Sequence, residues 1–270
     1  MADPGPCRRD HKVTGSNRSA DDLGWFDLYQ PDSVVLTKSQ LARRYIKKLI
    51  MSGQVRPGDR LTTREVSEAL GISETPCREA INGLAAEGWL DVQSHIGAVV
   101  QGLDKEQLRE ISALRGLICG LAIELNAARF DEAFILRLDD NISKSEKALG
   151  RNDYATFSGL NHLFHKMLCD GPASAYCARI LENMLGLLSQ SRHGIPSYRE
   201  RFDAALEEHR GIRDRLRKRD IAGAAMLARQ HEVNTGKFII AKMIELEQAA
   251  EQAARESQGA ATPSKRRATV

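Results

Sequence analysis

Two sets of residues in this chain have the types and spacing to do chemistry. The first lies in Gly71-Ile72-Ser73-Glu74-Thr75-Pro76-Cys77-Arg78-Glu79-Ala80. There Cys77, Ala80, Ile81 and Leu84 share one helical face, and Thr75, Arg78 and Asn82 share another. A helix with an apolar back and a short polar, basic front is what the major groove of DNA accepts. Arg78, and Arg64 at the start of the preceding helix, can take guanine edges bidentately or clamp phosphates. Thr75 can donate to a phosphate at the helix start, where the dipole helps. The second set is imidazole. Asn161 and His165 are four apart and project from one helical face, while His209 and His231 lie on two later helices. Three imidazoles suit zinc, nickel or a similar first-row ion, with the Asn161 carbonyl as a fourth, weaker ligand. On spacing alone, separate histidines on helices read as packed or solvated side chains, so the second set stays open at this point.

The elements that must position these groups follow from periodicity and breakers. Thr62 to Leu70 puts Val66, Ala69 and Leu70 on one side of a short helix. Gly71 stops it, Ser73 is an N-cap for the next helix, and Pro76 is tolerated in that helix's first turn. Upstream, Leu41, Tyr45, Ile46, Leu49 and Ile50 recur at helical spacing over Lys38 to Met51, before Ser52-Gly53 and Pro57-Gly58 break the chain. Downstream, Trp89 to Gln93 and Ala98 to Gln101 read as short strands joined through Ser94-His95-Ile96-Gly97, a hairpin wing.

From about Asp104 no strand pattern appears. Apolar residues recur at three and four through roughly 105–129, 132–149, 153–170, 173–192, 198–218 and 221–249. Gly171-Pro172 and Gly194-Ile195-Pro196 are stops, and Ser197-Tyr198-Arg199-Glu200 is a capping-box sequence. Short loops between such helices predict antiparallel neighbours. The fold class is therefore mainly α. It comprises an N-terminal winged helix-turn-helix over 31–103 and a C-terminal antiparallel all-helical bundle of about six helices over 104–250. A disordered tail is expected over 1–30 and a flexible one over 251–270.

Composition narrows the class further. At 270 residues and 42% hydrophobic, the chain can bury one large core or two modest ones, and its length favours two domains. The five cysteines (Cys7, Cys77, Cys119, Cys169, Cys177) are scattered and odd in number, with no Cys-x-x-Cys pair, which fits a reducing cytosol. No run approaches about eighteen apolar residues, so no membrane span is expected, and the first residues lack the apolar core of a signal peptide. The net charge of +3 is too small to diagnose nucleic-acid binding, so that reading rests on local pattern.

Pro57-Gly58-Asp59-Arg60-Leu61, Gly71-Ile72-Ser73-x-Thr75-Pro76-x-Arg78-Glu79-Ala80, Leu84-x-x-Glu87-Gly88-Trp89 and the wing Gly97 resemble the GntR-type winged-helix regulators. The helical part resembles the ligand-binding domain of their FadR-like subfamily, the FCD domain. Leu114-Arg115, Asn161-His162-Leu163-Phe164-His165, Glu208-His209 with Asp220, and His231 carry that likeness. The resemblance implies a cytoplasmic, homodimeric transcription factor that binds a double-stranded DNA operator. Its helical domain would bind a small organic acid beside a divalent metal, zinc or nickel, on Asn161, His165, His209 and His231. It also implies that Gly97 lets the wing backbone approach DNA, and that Arg115 faces the effector, with Arg192 as a further effector contact. Repression relieved by ligand is the commoner polarity in such families.

This chain departs from the family pattern at three positions. Glu74 stands where relatives carry arginine. A carboxylate cannot grip a phosphate, although it can accept from a cytosine amino group, so altered operator specificity is expected. Asn161 stands where many relatives carry aspartate, which leaves all four ligands neutral and favours an anionic effector. Cys119 replaces a usual glutamate one turn after Arg115. Two alternatives use the same histidines: a sensor for which the ion itself is the signal, and a metal-dependent hydrolase. The hydrolase would leave the DNA module without a purpose.

Overall fold

The computed structural model describes residues 36–93, 97–190 and 199–260. The expected contacts at Arg192 and the wing tip at 94–96 lie outside these residues, as do the capping sequence from Ser197 and both termini. The first domain runs α1 (Lys38–Met51), β1 (Arg60–Leu61), α2 (Thr63–Leu70), α3 (Glu74–Ala86), β2 (Leu90–Gln93) and β3 (Gly97–Val100). The second contains α4 (Lys105–Leu125), α5 (Glu132–Gly150), α6 (Tyr154–Cys169), α7 (Ala175–Gln190), α8 (Arg199–Arg217) and α9 (Ile221–Ala260).

Local chemistry accounts for most boundaries. α1 and α2 each open with a reciprocal capping box, Thr37 with Gln40 and Thr62 with Glu65. Gly71 closes α2 in the left-handed region at φ 64°, where a Cβ would be strained. Ser73 has N-cap backbone geometry, but its side chain makes no capping bond. Ala69, expected on the apolar side of α2, is exposed; the helix is held through Val66. The sheet order is β1-β3-β2, with all pairs antiparallel, and Leu61 opposes Ala98. The two-residue strand β1 is an addition to the expected wing. It is too short to show alternation; it pairs with β3, and just before it Gly58 N–H donates to the Val100 carbonyl and Val100 N–H to the Asp59 carbonyl.

In the second domain the six expected helices are present, each shorter or longer than its apolar pattern by a few residues. The largest difference is α9, which stays helical to Ala260, where a flexible tail was expected from 251. Helices α4 and α9 pack closely because glycines let them. A Cβ on Gly116 would come within 2.9 Å of the Arg229 carbonyl, and one on Gly236 would run into Ser112. That approach sets the registry between Arg115 on α4 and the His231-Glu232 pair on α9. The main core beneath includes Ile123, Phe134, Leu138, Phe157, Phe164, Leu168 and Leu216. Among the described residues no helix is long and apolar enough to cross a membrane.

Candidate functional site

The DNA-facing set stands as the spacing predicts. Cys77, Ala80, Ile81 and Leu84 are buried against α1 and the sheet, while Glu74, Thr75, Arg78 and Asn82 are exposed along the front of α3. Arg64 is exposed on α2 and is held at 2.7 Å by Glu68, one turn on. Glu74 accepts from the Thr63 hydroxyl at 3.3 Å, so its carboxylate sits beside the start of α2 rather than facing outward alone. Gly97 has a structural requirement of its own. Its φ is +104°, and a Cβ there would meet the Leu61 carbonyl at 3.3 Å. The glycine is needed for β1 to lie beside β3, whatever it does at DNA.

The three histidines converge from α6, α8 and α9. One ring nitrogen from each of His165, His209 and His231 lies within 4.8 Å of the others. Asn161 is half-buried one turn before His165 on α6. His209 is stacked on Phe164, with ring centroids 3.8 Å apart. Burial holds His165 and His209 well below the usual histidine range, so both rings are neutral near pH 7.

Charged groups contact the triad. His231 Nδ1 lies 2.6 Å from Glu208 Oε2 and 3.2 Å from Arg201 Nη2, which leaves Nε2 facing the other two histidines. That Nε2 is 3.1 Å from His165 Nε2. The other nitrogen of His165, Nδ1, is 3.3 Å from Glu232 Oε1 without hydrogen-bond geometry. His165 Nδ1 is thus buried without a hydrogen-bond partner among the described residues. The buried Nε2 of His209 has no hydrogen-bond partner among the described residues either. A cation among these nitrogens satisfies both defects together, because each imidazole then uses its lone pair as a ligand. The residues therefore fit a divalent metal.

Two buried ion pairs bracket the triad. Arg115 donates through Nε and Nη2 to the two oxygens of Glu232 at 2.9 and 2.8 Å, and through Nη1 to the Leu181 carbonyl at 3.2 Å. Burial would raise the Glu232 carboxyl, but the Arg115 guanidinium overrides it and holds it well below the carboxylate range. Arg201 donates to Glu208 at 2.5 Å and to Thr235 Oγ1 and the His231 carbonyl. Burial would raise Glu208 too; the bonds from His231 and Arg201 pull it down to about 2. Each carboxylate has its own guanidinium, so this surround adds no net charge, and the neutral ligand set expected from Asn161 is not offset by the two glutamates.

A cavity of about 250 Å³ adjoins the triad through His165. Its deep wall carries Arg115, Cys119, Cys169 and Glu232, and its exposed rim carries Lys166, Asp170, Arg179 and Glu182. Arg115 is at the cavity as expected, but its fork is already taken by Glu232. Glu232 and Arg201 were absent from the sequence reading, and His162, which lines the cavity, was given no role there. A buried arginine in the apolar stripe Leu108-Ser112-Arg115-Cys119 does signal that an acidic partner must exist, without saying where. The Cys119 and Cys169 sulfurs lie 3.3 Å apart; that contact first, and burial second, push the Cys119 thiol well up.

Helix α7 joins this cavity to the first domain. Leu181 and Glu182 line the cavity, the next residue, Asn183, accepts from Trp89 Nε1 at 2.9 Å, and Leu187 packs on the winged-helix core. Lys47 of α1 lies over the Trp89 ring; burial and Arg43 lower its pKa to about 8, while the Glu182 charge acts the other way.

Comparison with known proteins agrees with this division. Residues 38–100 match the model of the bacterial regulatory proteins of the gntR family, and residues 110–234 match the FCD domain. The chain is 28% identical over 176 residues to the HTH-type transcriptional regulator YdhC of Bacillus subtilis, covering 65% of this chain and 79% of that one. It is 24% identical over 193 residues to the HTH-type transcriptional repressor RspR of Escherichia coli, covering 72% and 85% respectively. Its fold is similar to that of the E. coli protein McbR/YncC, with a TM-score of 0.69 at 19% identity, covering 77% of this chain and 100% of that one. The two family matches together span well over half of the chain and meet at the boundary between wing and bundle. The chain belongs to the GntR family of DNA-binding transcriptional regulators, with an FCD domain behind its helix-turn-helix.

Proposed function

We propose that this regulator is a cytoplasmic, homodimeric repressor whose operator grip is controlled from the helical domain. A divalent metal, zinc or nickel, is held there by His165, His209 and His231, with Asn161 as a weaker ligand, and a small organic acid occupies the adjoining cavity. The observation that carries the metal reading is the convergence of one nitrogen from each histidine within 4.8 Å, with His165 Nδ1 and His209 Nε2 buried and without hydrogen-bond partners among the described residues. When bound, the ion supplies a Lewis-acidic position for a carboxylate oxygen. The chain's own residues do the rest. Glu208 orients His231, Glu232 fixes Arg115, and the rim offers Lys166 and Arg179 beside Asp170 and Glu182 as polar contacts. The cavity favours an organic effector over a sensor for the ion alone.

Helix α7 is the route between the sites. A ligand that displaces Arg115 or Leu181 loads the same helix that holds Trp89 through Asn183. A change of ligand then biases the seating of the winged helix. Polarity is inferred from RspR, which is named a repressor. Dimerisation is supported by the exposed leucines 114, 117, 121 and 125, which recur along one side of α4 opposite its buried face. By this reading Arg64, Thr75 and Arg78 make the DNA contacts, Glu74 shifts the operator, and the Gly97 backbone lies against the duplex.

The experiment is binding of full-length protein to DNA from its own upstream region, beside an unrelated duplex, before and after chelation. Specific binding that changes at least several-fold when zinc is removed supports the linked reading. Specific binding indifferent to metal refutes it, and binding no tighter than to the unrelated duplex refutes the operator assignment.

A further inference from the structure

Cys119 and Cys169 have no part in that reading. They lie fifty positions apart, on α4 and at the end of α6, yet their Sγ atoms sit 3.3 Å from each other in the cavity wall. Cys119 is one turn beyond Arg115, and Cys169 is one turn beyond His165. Both sulfurs face a space whose rim residues Lys166, Asp170, Arg179 and Glu182 are exposed, so a small solute reaches them from outside. The other described cysteines lack this arrangement. Cys77 is in the winged-helix core with its sulfur at the Ser73 carbonyl, and Cys177 is buried on α7.

Two thiols in contact can take up a soft cation or close on each other. The surroundings decide between these. A cation at the two sulfurs would be short of further ligands, because Glu232 is taken by Arg115 and His165 belongs to the histidine triad. A disulfide is neutral and small, and needs no further ligands. We propose that Cys119 and Cys169 form a redox modification site, which a hydroperoxide entering the cavity closes into a disulfide.

The chemistry balances with the peroxide as oxidant. The Cys169 sulfur, as thiolate, attacks a peroxide oxygen while Cys119 keeps its proton. The O–O bond breaks, an S–O bond forms, and the departing hydroxide (alkoxide, for an organic hydroperoxide) leaves as water (or alcohol) with the proton that Cys169 gave up. The second sulfur attacks the sulfenyl sulfur. The S–S bond forms, the S–O bond breaks, and the second thiol's proton leaves with the hydroxide as a second water. Two electrons pass from the thiols to the peroxide. With its partner 3.3 Å away, the sulfenic acid is captured faster than it meets further peroxide. Closure brings the sulfurs to about 2.05 Å, drawing the end of α6 toward α4 one turn from His165 and from Arg115. The site does not depend on a metal at the histidines.

The test uses the full chain, reduced, freed of reductant and treated with hydrogen peroxide, followed by non-reducing peptide mapping. The tryptic peptide Met167–Arg179 carries both Cys169 and Cys177, so fragment spectra must locate the bond. The expected product links Cys119 to Cys169, weighs two hydrogens less than the separate peptides, and is opened by dithiothreitol. In Cys119→Ser, Cys169 should instead accumulate sulfinic acid. The proposal is overturned if the wild-type chain gives only sulfinic or sulfonic acids at these positions. It is equally overturned by bonds to Cys77 or Cys177 instead, or by both thiols remaining free after the other cysteines have oxidised. The wild-type map needs no variant to fold.

Discussion

The winged helix and the histidine cluster are built in opposite ways. The DNA-reading face is one stretch of chain, Glu74 to Asn82, whose apolar back docks on α1 and whose polar front is left in solvent. The histidine cluster draws on α4, α6, α8 and α9, and its outer groups pair residues as far apart as Arg115 and Glu232. The first region tolerates side-chain changes because its exposed residues hold nothing up. The second does not, because His165 and His231 lie against Glu232 and Glu208, each of which is paired with a buried arginine.

The sharpest way to test this contrast is to remove one member of a buried pair. Glu232→Ala leaves the Arg115 guanidinium, 3% exposed, without its carboxylate. A loss of about 3–5 kcal/mol is expected from such a deletion, read as a lower denaturation midpoint. A cost below about 1 kcal/mol, the range of exposed pairs, would erase the distinction between the two regions. Arg78→Ala should do the reverse. Stability should hold, while affinity for the operator falls by about 1–3 kcal/mol, the worth of a bidentate base contact. An unfolded or unchanged Arg78→Ala protein would contradict the assignment. Leu117→Glu on the exposed side of α4 should shift the protein from dimer toward monomer in sedimentation, with little change in helix content.

The smallest effect concerns pH in metal-free protein. His165 and His209 are depressed in the folded state, so below about pH 6.5 the unfolded chain takes protons that the folded one refuses. Stability therefore falls as pH falls, by up to about 1.4 kcal/mol per unit for each ring. Glu208, held at about 2, adds a further loss in the same direction below the ordinary carboxylate range. His209→Phe, which keeps a ring stacked on Phe164, should flatten the slope between pH 6.5 and 5 by about half. An unchanged slope would mean that this ring is not held neutral.

The difference between the regions also explains what could be read before the structure. The back and front of α3, the glycine stop at Gly71 and the six-helix pattern depend on neighbours within a turn or two, and periodicity reports them directly. His165, His209 and His231 were legible only through family likeness, since nothing in their spacing brings α6, α8 and α9 together. Glu232 and Arg201 were not legible at all. A glutamate beside His231 looks like a solvated charge until α9 is pressed onto α4 through Gly116 and Gly236. The cysteines teach the same lesson. Read as scattered along the chain, Cys119 and Cys169 become neighbours only in the folded bundle. β1 was missed because its two residues gain their partners from β3, far down the chain.

The central claim is that three converging imidazoles bind a divalent ion. The most direct measurement is metal content after incubation of the chelated full-length chain with zinc and removal of the excess, for wild type and His209→Phe side by side. The account predicts an equimolar amount of zinc in the wild type and little in the variant, with both proteins folded. Wild-type protein that retains no metal, or a variant that retains as much as the wild type, would contradict it.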